Sequence, residues 1–429
     1  MKVFFATFGC KVNQYESQAM MQLLETHGYQ TEEWSGAVSE TQEVAVVVNS
    51  CTVTAESDRK MRQMLRRIKR ICPQSILVLT GCFVQAFAEK AKQLDMVDIF
   101  LGNAERRELP RLLQEYCSRR ERLVHIPKHT AQYEPLTVRR FEGRTRAFVK
   151  IEDGCDRFCS YCIIPYARGR VRSLPLALLT EQVRCLASQG FREVVLVGIN
   201  LTAYGKDIGC NIADAVEAAC AVDGIERVRL GSLEPDHVTD EIIGRLAACR
   251  QLCPQFHIAL QSGCDATLAR MKRRYTTQQY RQLCNELQKA FPQCTLTTDI
   301  MVGFPGETQQ DFETSLQFCR EIGFARMHVF AYSRRSGTPA DVMPDQVPES
   351  QKALRAKQMG ELAQQLAEHS AQALVGRTVE VLAETKTDDG RYEGYTDTYL
   401  PVRFAFQGEA GQMCSVHIVG QENGVCIGV

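Results

Sequence analysis

The first hundred residues alternate short apolar runs with amphipathic stretches. Three runs are rich in β-branched or aromatic residues, at Lys2 to Phe8, Val44 to Asn49 and Ile76 to Thr80, and helical patterns separate them. This alternation is typical of a parallel α/β sheet with helices on both faces. A cysteine follows each run: Cys10, Cys51 and Cys82. Because the carboxyl ends of parallel strands share one edge, the three thiols could converge, or they could be unrelated buried thiols.

A second alternating block follows a polar, proline-containing connector at about residues 125–146. Its strand-like runs lie at Ala147 to Glu152, Glu193 to Gly198, Arg227 to Leu230, His257 to Leu260, Thr297 to Val302 and Met327 to Ala331. Six strands with intervening helices predict a partial or complete parallel barrel, with its chemistry on the loops after the strands. After Gly376 the pattern changes to short strands with glycine turns, which predicts a small five-stranded all-β barrel.

Composition excludes several classes of protein. The 429 residues include 51 basic and 51 acidic side chains, so the chain is not a globally basic nucleic-acid binder, although a local basic patch is compatible with this balance. No signal-peptide pattern opens the chain, and no apolar run approaches the roughly 18 residues that span a bilayer. We expect a soluble, cytoplasmic protein without a membrane partner.

One predicted helix, within residues 58–70, has an unusually basic face. Met61, Leu65 and Ile68 share one side of the helix, and most of its cations lie outside that side. The exposed cations include Arg66, Arg67 and Arg70. The pattern is compatible with an ordinary solvated face and with a phosphate-binding patch.

The clearest chemical signal is a Cys-x3-Cys-x2-Cys array at Cys155, Cys159 and Cys162, directly after the first strand of the second block. Three thiolates on one loop suit an iron-sulfur cluster, whereas a zinc site normally needs a fourth nearby ligand, and the local sequence offers none. Three ligands for four irons leave one iron open to an exogenous molecule. Apart from this array and the strand-end thiols Cys10, Cys51 and Cys82, thirteen of the nineteen cysteines remain, and they are predicted to be mostly buried apolar residues. The eight histidines form no ligand-spaced pair.

The array, with Tyr161 just before its third cysteine, resembles that of the radical S-adenosylmethionine (SAM) superfamily. The resemblance implies that the amino and carboxylate groups of SAM chelate the open iron. It also implies that reduction of the cluster cleaves the sulfonium and releases a 5′-deoxyadenosyl radical.

Further segments along the whole chain resemble the methylthiotransferases within that superfamily. These segments are residues 8–17, 49–54, 81–85, 163–172, 231–235, 260–265 and 299–307. The resemblance implies an N-terminal methylthiotransferase domain (1–120), a radical SAM core with a (β/α)6 partial barrel (139–371) and a C-terminal RNA-binding TRAM domain with an OB-like barrel (372–429). It further implies that Cys10, Cys51 and Cys82 hold a second, auxiliary cluster. The cofactors would then be two [4Fe-4S] clusters and SAM, which serves as methyl donor and radical source.

The sequences of residues 11–17 and 168–172 resemble those of the methylthiotransferases that act on threonylcarbamoyladenosine in tRNA. This type converts N6-threonylcarbamoyladenosine at position 37 to its 2-methylthio derivative. Alternative substrates within the same chemistry are isopentenyladenosine in tRNA and a ribosomal-protein aspartate. An alternative from another class is a non-catalytic iron-sulfur RNA-binding protein. Low-potential electrons imply a flavodoxin- or ferredoxin-type donor, and the sulfur donor is unknown.

Candidate contacts follow from the same resemblance, and no side chain is assigned as catalytic. Strand-end positions suited to SAM, together with Tyr161, are Gly198, Asn200, Glu234, Gln261 and Asp299. Each of these residues taken singly is also typical of a turn or a helix cap. Candidate RNA contacts are Arg66, Arg67, Arg70, Tyr395 and Arg403. The terminal module has more acidic than basic side chains, so its RNA contact is expected to be restricted to a small surface.

Overall fold

A computed structural model describes residues 1–36, 44–141 and 143–429. The chain forms two compact units. Unit 1 contains residues 1–139, 150–174 and 333–341, and unit 2 contains residues 140–149, 175–332 and 342–429. The predicted division at residues 120–139 falls beside the first change of unit. Residues 150–174, which carry the Cys155 array, group with the N-terminal residues.

The helices and strands follow one another along the chain in three parts. The first part contains β1 (Lys2–Thr7), α1 (Lys11–Thr26), β2 (Gln30–Glu33), β3 (Val44–Ser50), α2 (Ala55–Ile71), β4 (Ile76–Gly81), α3 (Cys82–Ala86), α4 (Ala88–Lys92), β5 (Ile99–Leu101), α5 (Leu109–Arg119) and β6 (Leu123–His125). The middle part contains β7 (Arg146–Lys150), β8 (Glu152–Asp153), α6 (Ile164–Arg168), β9 (Arg172–Ser173), α7 (Leu176–Ser188), β10 (Glu193–Val197), α8 (Ile212–Cys220), β11 (Arg227–Leu230), β12 (Ser232–Leu233), α9 (Asp240–Ala248), β13 (Gln255–Ile258), α10 (Asp265–Arg270), α11 (Thr277–Ala290), β14 (Thr295–Val302), α12 (Gln309–Ile322) and β15 (Arg326–Ala331). The last part contains α13 (Glu349–Gln372), β16 (Thr378–Lys386), β17 (Tyr392–Thr396), β18 (Pro401–Phe404), β19 (Met413–Glu422) and β20 (Val425–Gly428).

Unit 1 is built on a parallel sheet with the order β2-β1-β3-β4-β5-β6. Alternate residues of each strand point to opposite faces. One face packs Val46 and Leu79 against α2, and the other packs Val47 and Val78 against α1 and α5. Both faces are therefore apolar, and the predicted doubly wound sheet is confirmed.

Unit 2 contains two sheets, with the orders β11-β10-β7 and β12-β13-β14-β15. β10 and β11 pair in parallel, as do all neighbouring strands of the second sheet. The six predicted strands correspond to β7, β10, β11, β13, β14 and β15, and the short β12 is additional. Helices connect successive strands, which is the alternation that the sequence predicted. The parallel register places Asp299 of β14 opposite His328 of β15.

The C-terminal strands of unit 2 form a closed barrel with the order β16-β17-β18-β20-β19. Its core contains Val381, Val402, Phe404, Val416 and Ile418. The predicted five-stranded all-β module is confirmed. Within the described residues, no helix is both long and apolar enough to cross a membrane.

Candidate active site

Three cysteines of unit 1 lie at the carboxyl ends of three neighbouring strands. Cys10 follows β1 and caps α1, Cys51 follows β3, and Cys82 follows β4 and opens α3. The register aligns these ends, because Thr7 pairs with Asn49 and Ser50 pairs with Gly81. Adjacent strands lie about 4.8 Å apart. The parallel sheet therefore gathers three thiols that are distant in sequence onto one edge.

Glycines before two of these cysteines permit the close approach. Gly9 has a φ of 104°, and a Cβ there would lie 2.7 Å from Cys51 Cβ and 3.1 Å from its Sγ. Gly81 has a φ of 100°, and a Cβ there would lie 2.3 Å from the Ser50 carbonyl oxygen. Any side chain at either position would displace a thiol-bearing strand end.

The surroundings of these thiols suit a metal centre whose binding displaces the thiol protons. Burial, with a smaller contribution from the nearby Cys82 and Cys10 sulfurs, raises the pKa of Cys51 to about 12. The free thiol is thus protonated at neutral pH, and binding of iron must release that proton. Arg168 Nε donates a hydrogen bond to Cys82 Sγ over 3.3 Å. Three thiols with a cationic neighbour fit a cluster that has one open iron.

A buried ion network lies beside this edge. Glu16 of α1 is fully buried, and its carboxylate accepts from Lys150 Nζ at 2.8 Å, from Arg106 at 2.9 Å and from both terminal nitrogens of Arg168. Lys150 also pairs with Asp153 at 2.7 Å. Although burial favours the neutral acid, Arg106, Arg168 and Lys150 together lower the pKa of Glu16 to about 2. Sequence reasoning assigned no role to Glu16 or Arg168 individually.

The second set of cysteines lies on a loop that the short antiparallel pair of β8 and β9 encloses. Cys155 N donates to the Gly169 carbonyl at 2.9 Å, and Cys162 N donates to the Cys159 carbonyl at 2.9 Å. Cys159 is buried, whereas Cys155, Cys162 and Tyr161 are half-buried. Both sets of three cysteines therefore belong to unit 1.

The SAM candidates other than Tyr161 belong to unit 2. Gly198 and Asn200 follow β10, and Glu234 follows β12. Thr202 connects two of them: its Oγ1 donates to Asn200 Oδ1 at 3.3 Å and accepts from Glu234 N at 3.3 Å. The Glu234 carboxylate also pairs with Arg273. Sequence reasoning did not assign Thr202 or Arg273 to this site, since neither lies at a strand end.

Gln261 and Asp299 lie next to each other in the second sheet of unit 2. Gln261 N donates to the Asp299 carbonyl at 2.8 Å, and Gln261 has a φ of 68°. The Asp299 carboxylate lies 3.3 Å from His257 Nε2 and 3.1 Å from His328 Nδ1. Although burial favours the neutral acid, hydrogen bonds from the two imidazoles hold the pKa of Asp299 well below its usual range. The histidines have no ligand spacing in the sequence, and the strand register brings them together.

The RNA candidates differ in how they are placed. Arg66, Arg67 and Arg70 are exposed on α2, and none has an ion pair with a described residue. Arg403 pairs with Glu393 at 2.7 Å. The Tyr395 ring stacks on Tyr399 with centroids 4.5 Å apart, and the Arg146 guanidinium lies 5.0 Å from the Tyr395 centroid. Contacts within unit 2 thus occupy part of the Tyr395 ring.

Models of two protein families match this chain. The radical SAM superfamily matches residues 149–319, and a family described as uncharacterized protein family UPF0004 matches residues 2–102. The threonylcarbamoyladenosine tRNA methylthiotransferase MtaB of Bacillus subtilis strain 168 is 37% identical over 94% of this chain and 90% of its own length. The chain belongs to the radical SAM methylthiotransferases.

Methylthiotransferases of two names are similar to this chain. MtaB of Thermotoga maritima is 37% identical over 96% of this chain and 93% of its own length. The tRNA-2-methylthio-N(6)-dimethylallyladenosine synthase of Clostridium novyi is 35% identical over 94% of this chain and 90% of its own length. Overall identity therefore does not separate the two substrate types.

Solved structures agree with this methylthiotransferase in fold. The radical SAM methyltransferase TsrM of Kitasatospora setae matches with a TM-score of 0.61 and 16% identity, over 80% of this chain and 77% of that chain. OxsB, a cobalamin-dependent radical SAM enzyme, matches with a TM-score of 0.53 and 12% identity, over 84% of this chain and 56% of that chain. Membership of the superfamily implies an iron-sulfur cluster and SAM, and the three thiols of the Cys155 loop are a suitable donor set.

Proposed function

We propose that this methylthiotransferase modifies tRNA at C2 of N6-threonylcarbamoyladenosine 37, giving 2-methylthio-N6-threonylcarbamoyladenosine. The observation that carries the proposal is the pair of three-cysteine sets in unit 1, because methylthio transfer needs a sulfur-handling centre beside the radical-generating one. The segments whose form resembles the threonylcarbamoyladenosine type also meet in the structure, since Glu16 pairs with Arg168. Relatives named for that substrate support the same choice.

The chemistry of the substrate explains why two clusters are needed. C2 of adenine has a strong C–H bond without useful acidity, so a positioned general base could do little with it. When bound, the clusters and SAM supply a carbon-centred radical, a sulfur site and the methyl group. The chain supplies ligands and orientation. Cys155, Cys159 and Cys162 would hold the SAM cluster, and Cys10, Cys51 and Cys82 the auxiliary one.

The remaining assignments place binding roles on both units. Contacts to SAM would come from Tyr161, Gly198, Asn200, Glu234, Gln261 and Asp299. Phosphate contacts to tRNA would come from Arg66, Arg67 and Arg70, because they are exposed cations whose charge no described acid neutralises. Arg403 and Tyr395 contribute less to RNA binding, because Glu393 and Tyr399 already contact them. The electron donor would be a flavodoxin or ferredoxin in the cytoplasm.

Mass spectrometry of tRNA nucleosides tests the proposal. A strain that lacks this protein is complemented with the wild type, with Cys155→Ala or with Cys185→Ala, which changes a half-buried helix thiol outside both sets. We expect the 2-methylthio derivative of threonylcarbamoyladenosine to be lost in the deletion strain. It should return with the wild type and Cys185→Ala but not with Cys155→Ala.

The same measurement separates the alternatives. If the isopentenyladenosine derivative disappears instead, the enzyme class is retained and the substrate is wrong. If no tRNA nucleoside changes, tRNA modification itself is refuted, and a methylthiolated ribosomal-protein aspartate becomes the product to measure.

A further inference from the structure

Arg168 is a fully buried cation, and one of its hydrogen bonds goes to a thiol of the proposed auxiliary set. Its two terminal nitrogens hold both oxygens of Glu16, and Nη2 also donates to Asn13 Oδ1 at 3.0 Å. The remaining donor, Nε, faces Cys82 Sγ at 3.3 Å. A guanidinium has donors on both its fork and its Nε, so one side chain can be clamped by a carboxylate and still donate to a sulfur.

The backbone around Arg168 is fixed on both sides. Arg168 ends α6, which belongs to the loop that carries the Cys155 array. The carbonyl of Ala167 accepts from Asn103 Nδ2 at 2.9 Å, and the carbonyl of Arg168 accepts from Arg172 at 3.0 Å. The loop with one set of cysteines therefore donates a hydrogen bond to a cysteine of the other set.

The positive charge of Arg168 determines which oxidation state of the cluster this contact stabilises. The fully buried guanidinium of Arg168 donates from Nε to the Cys82 sulfur at 3.3 Å, while its terminal nitrogens hold Glu16. Hydrogen bonds to cluster sulfurs and nearby charge are among the factors that set the potential of an iron-sulfur cluster. A buried cation at a thiolate ligand stabilises the reduced cluster, because reduction adds one negative charge.

We propose that Arg168 is a positioning residue that raises the reduction potential of the auxiliary cluster through its Nε–H hydrogen bond to Cys82. The inference rests on the proposed function, which places a cluster on Cys10, Cys51 and Cys82. The step concerned is the addition of one electron to the cluster, supplied in the test by dithionite, with no bond broken. Lysine at this position would keep the charge but lose the fork that orients the donor.

A potentiometric titration followed by electron paramagnetic resonance tests the proposal. The full chain carries Cys155→Ala, Cys159→Ala and Cys162→Ala, so that only the auxiliary cluster is loaded. Into this background we place Arg168→Gln, Arg168→Lys or, as the matched control, Arg106→Lys. Arg106 is also buried and also pairs with Glu16, but its hydrogen bonds go to Glu16 and Asn103 and not to a cysteine.

The expected result is a lower midpoint potential in both Arg168 variants. We expect Arg168→Gln to lower the equilibrium constant for reduction about tenfold, which is about 59 mV for a one-electron couple. Arg168→Lys should give a smaller shift in the same direction, and Arg106→Lys should leave the potential unchanged. Equal potentials in all variants, or an equal shift in Arg106→Lys, would overturn the inference.

A second measurement avoids the risk that an Arg168 variant does not fold. In the same background with Arg168 intact, ¹⁵N-arginine labelling and pulsed resonance of the reduced cluster should show coupling to one arginine nitrogen. A loaded cluster without that coupling refutes the hydrogen bond. A background that binds no iron at all refutes the auxiliary cluster itself, so the two failures are distinguishable.

Discussion

Glu16→Gln should destabilise unit 1 strongly, because it removes the buried carboxylate that accepts hydrogen bonds from Arg106, Lys150 and both terminal nitrogens of Arg168. Burial disfavours the charged carboxylate, yet Arg106, Arg168 and Lys150 outweigh this effect and lower the pKa of Glu16 from 4.5 to about 2. At about 1.4 kcal/mol for each pKa unit, this lowering corresponds to roughly 3 kcal/mol of folding free energy. Removal of one partner from a buried ion pair typically costs about 3–5 kcal/mol, which is consistent.

Urea unfolding followed by tryptophan fluorescence measures this loss. Trp34 is the single tryptophan of the chain, belongs to unit 1 and packs edge-to-face on Phe4 at 5.7 Å. Its emission therefore reports the unfolding of unit 1. The matched control is Glu115→Gln on α5, which removes surface pairs with Arg111 and Arg119 and should cost no more than about 1 kcal/mol.

The stabilisation that Glu16 contributes should depend on pH in a definite direction. Because the pKa of Glu16 is lower in the folded state, its contribution is complete above pH 4.5 and is lost as the pH falls towards about 2. The difference in free energy of unfolding between the wild type and Glu16→Gln should therefore become smaller as the pH falls over that range. The reasoning would be refuted if Glu16→Gln lowered the free energy of unfolding by less than about 1 kcal/mol at neutral pH. It would also be refuted if the difference from the wild type did not change with pH.

Two further predictions concern iron and tRNA. Cys51→Ala should lower the iron content of the purified protein from about eight to about four per chain, because one of two four-iron clusters loses a ligand. Cys72→Ala, at a buried thiol outside both sets, should retain all the iron, and equal iron in the two variants would contradict the ligand assignment. Charge reversal at Arg66 and Arg67 should weaken tRNA binding and its salt dependence more than Arg403→Glu, because Glu393 already pairs with Arg403. Filter binding at several salt concentrations measures this, and equal or reversed effects would contradict the phosphate-patch hypothesis.

Sequence periodicity predicted the helices and strands well, because burial imposes a regular spacing. The predicted strand Glu193 to Gly198 is observed as Glu193–Val197, and Arg227 to Leu230 is observed unchanged. On α2, Met61, Leu65 and Ile68 are buried as predicted. Two basic residues of that helix, Arg59 and Lys60, pair with Glu56, which lies just outside the basic run.

Contacts between side chains that are distant in sequence were not predictable in this way. The ring of Tyr395, a candidate RNA contact, stacks on Tyr399, and no sequence pattern predicted that pair. No sequence pattern joins His257 to His328, and they contact Asp299 only because β13, β14 and β15 are adjacent. Such pairs have no period and no local motif, so their identity depends on the strand order.

By itself the sequence determined the parallel α/β architecture, the terminal barrel and the local three-thiol loop, because period and short spacing act within one segment. Only the tertiary structure decided what surrounds the auxiliary thiols. Glu16 and Arg168 are 152 positions apart, and their bond exists because the sheet edge and the Cys155 loop belong to the same unit. A buried charge must find partners wherever the fold supplies them, and one result of that requirement is the hydrogen bond from Arg168 to Cys82.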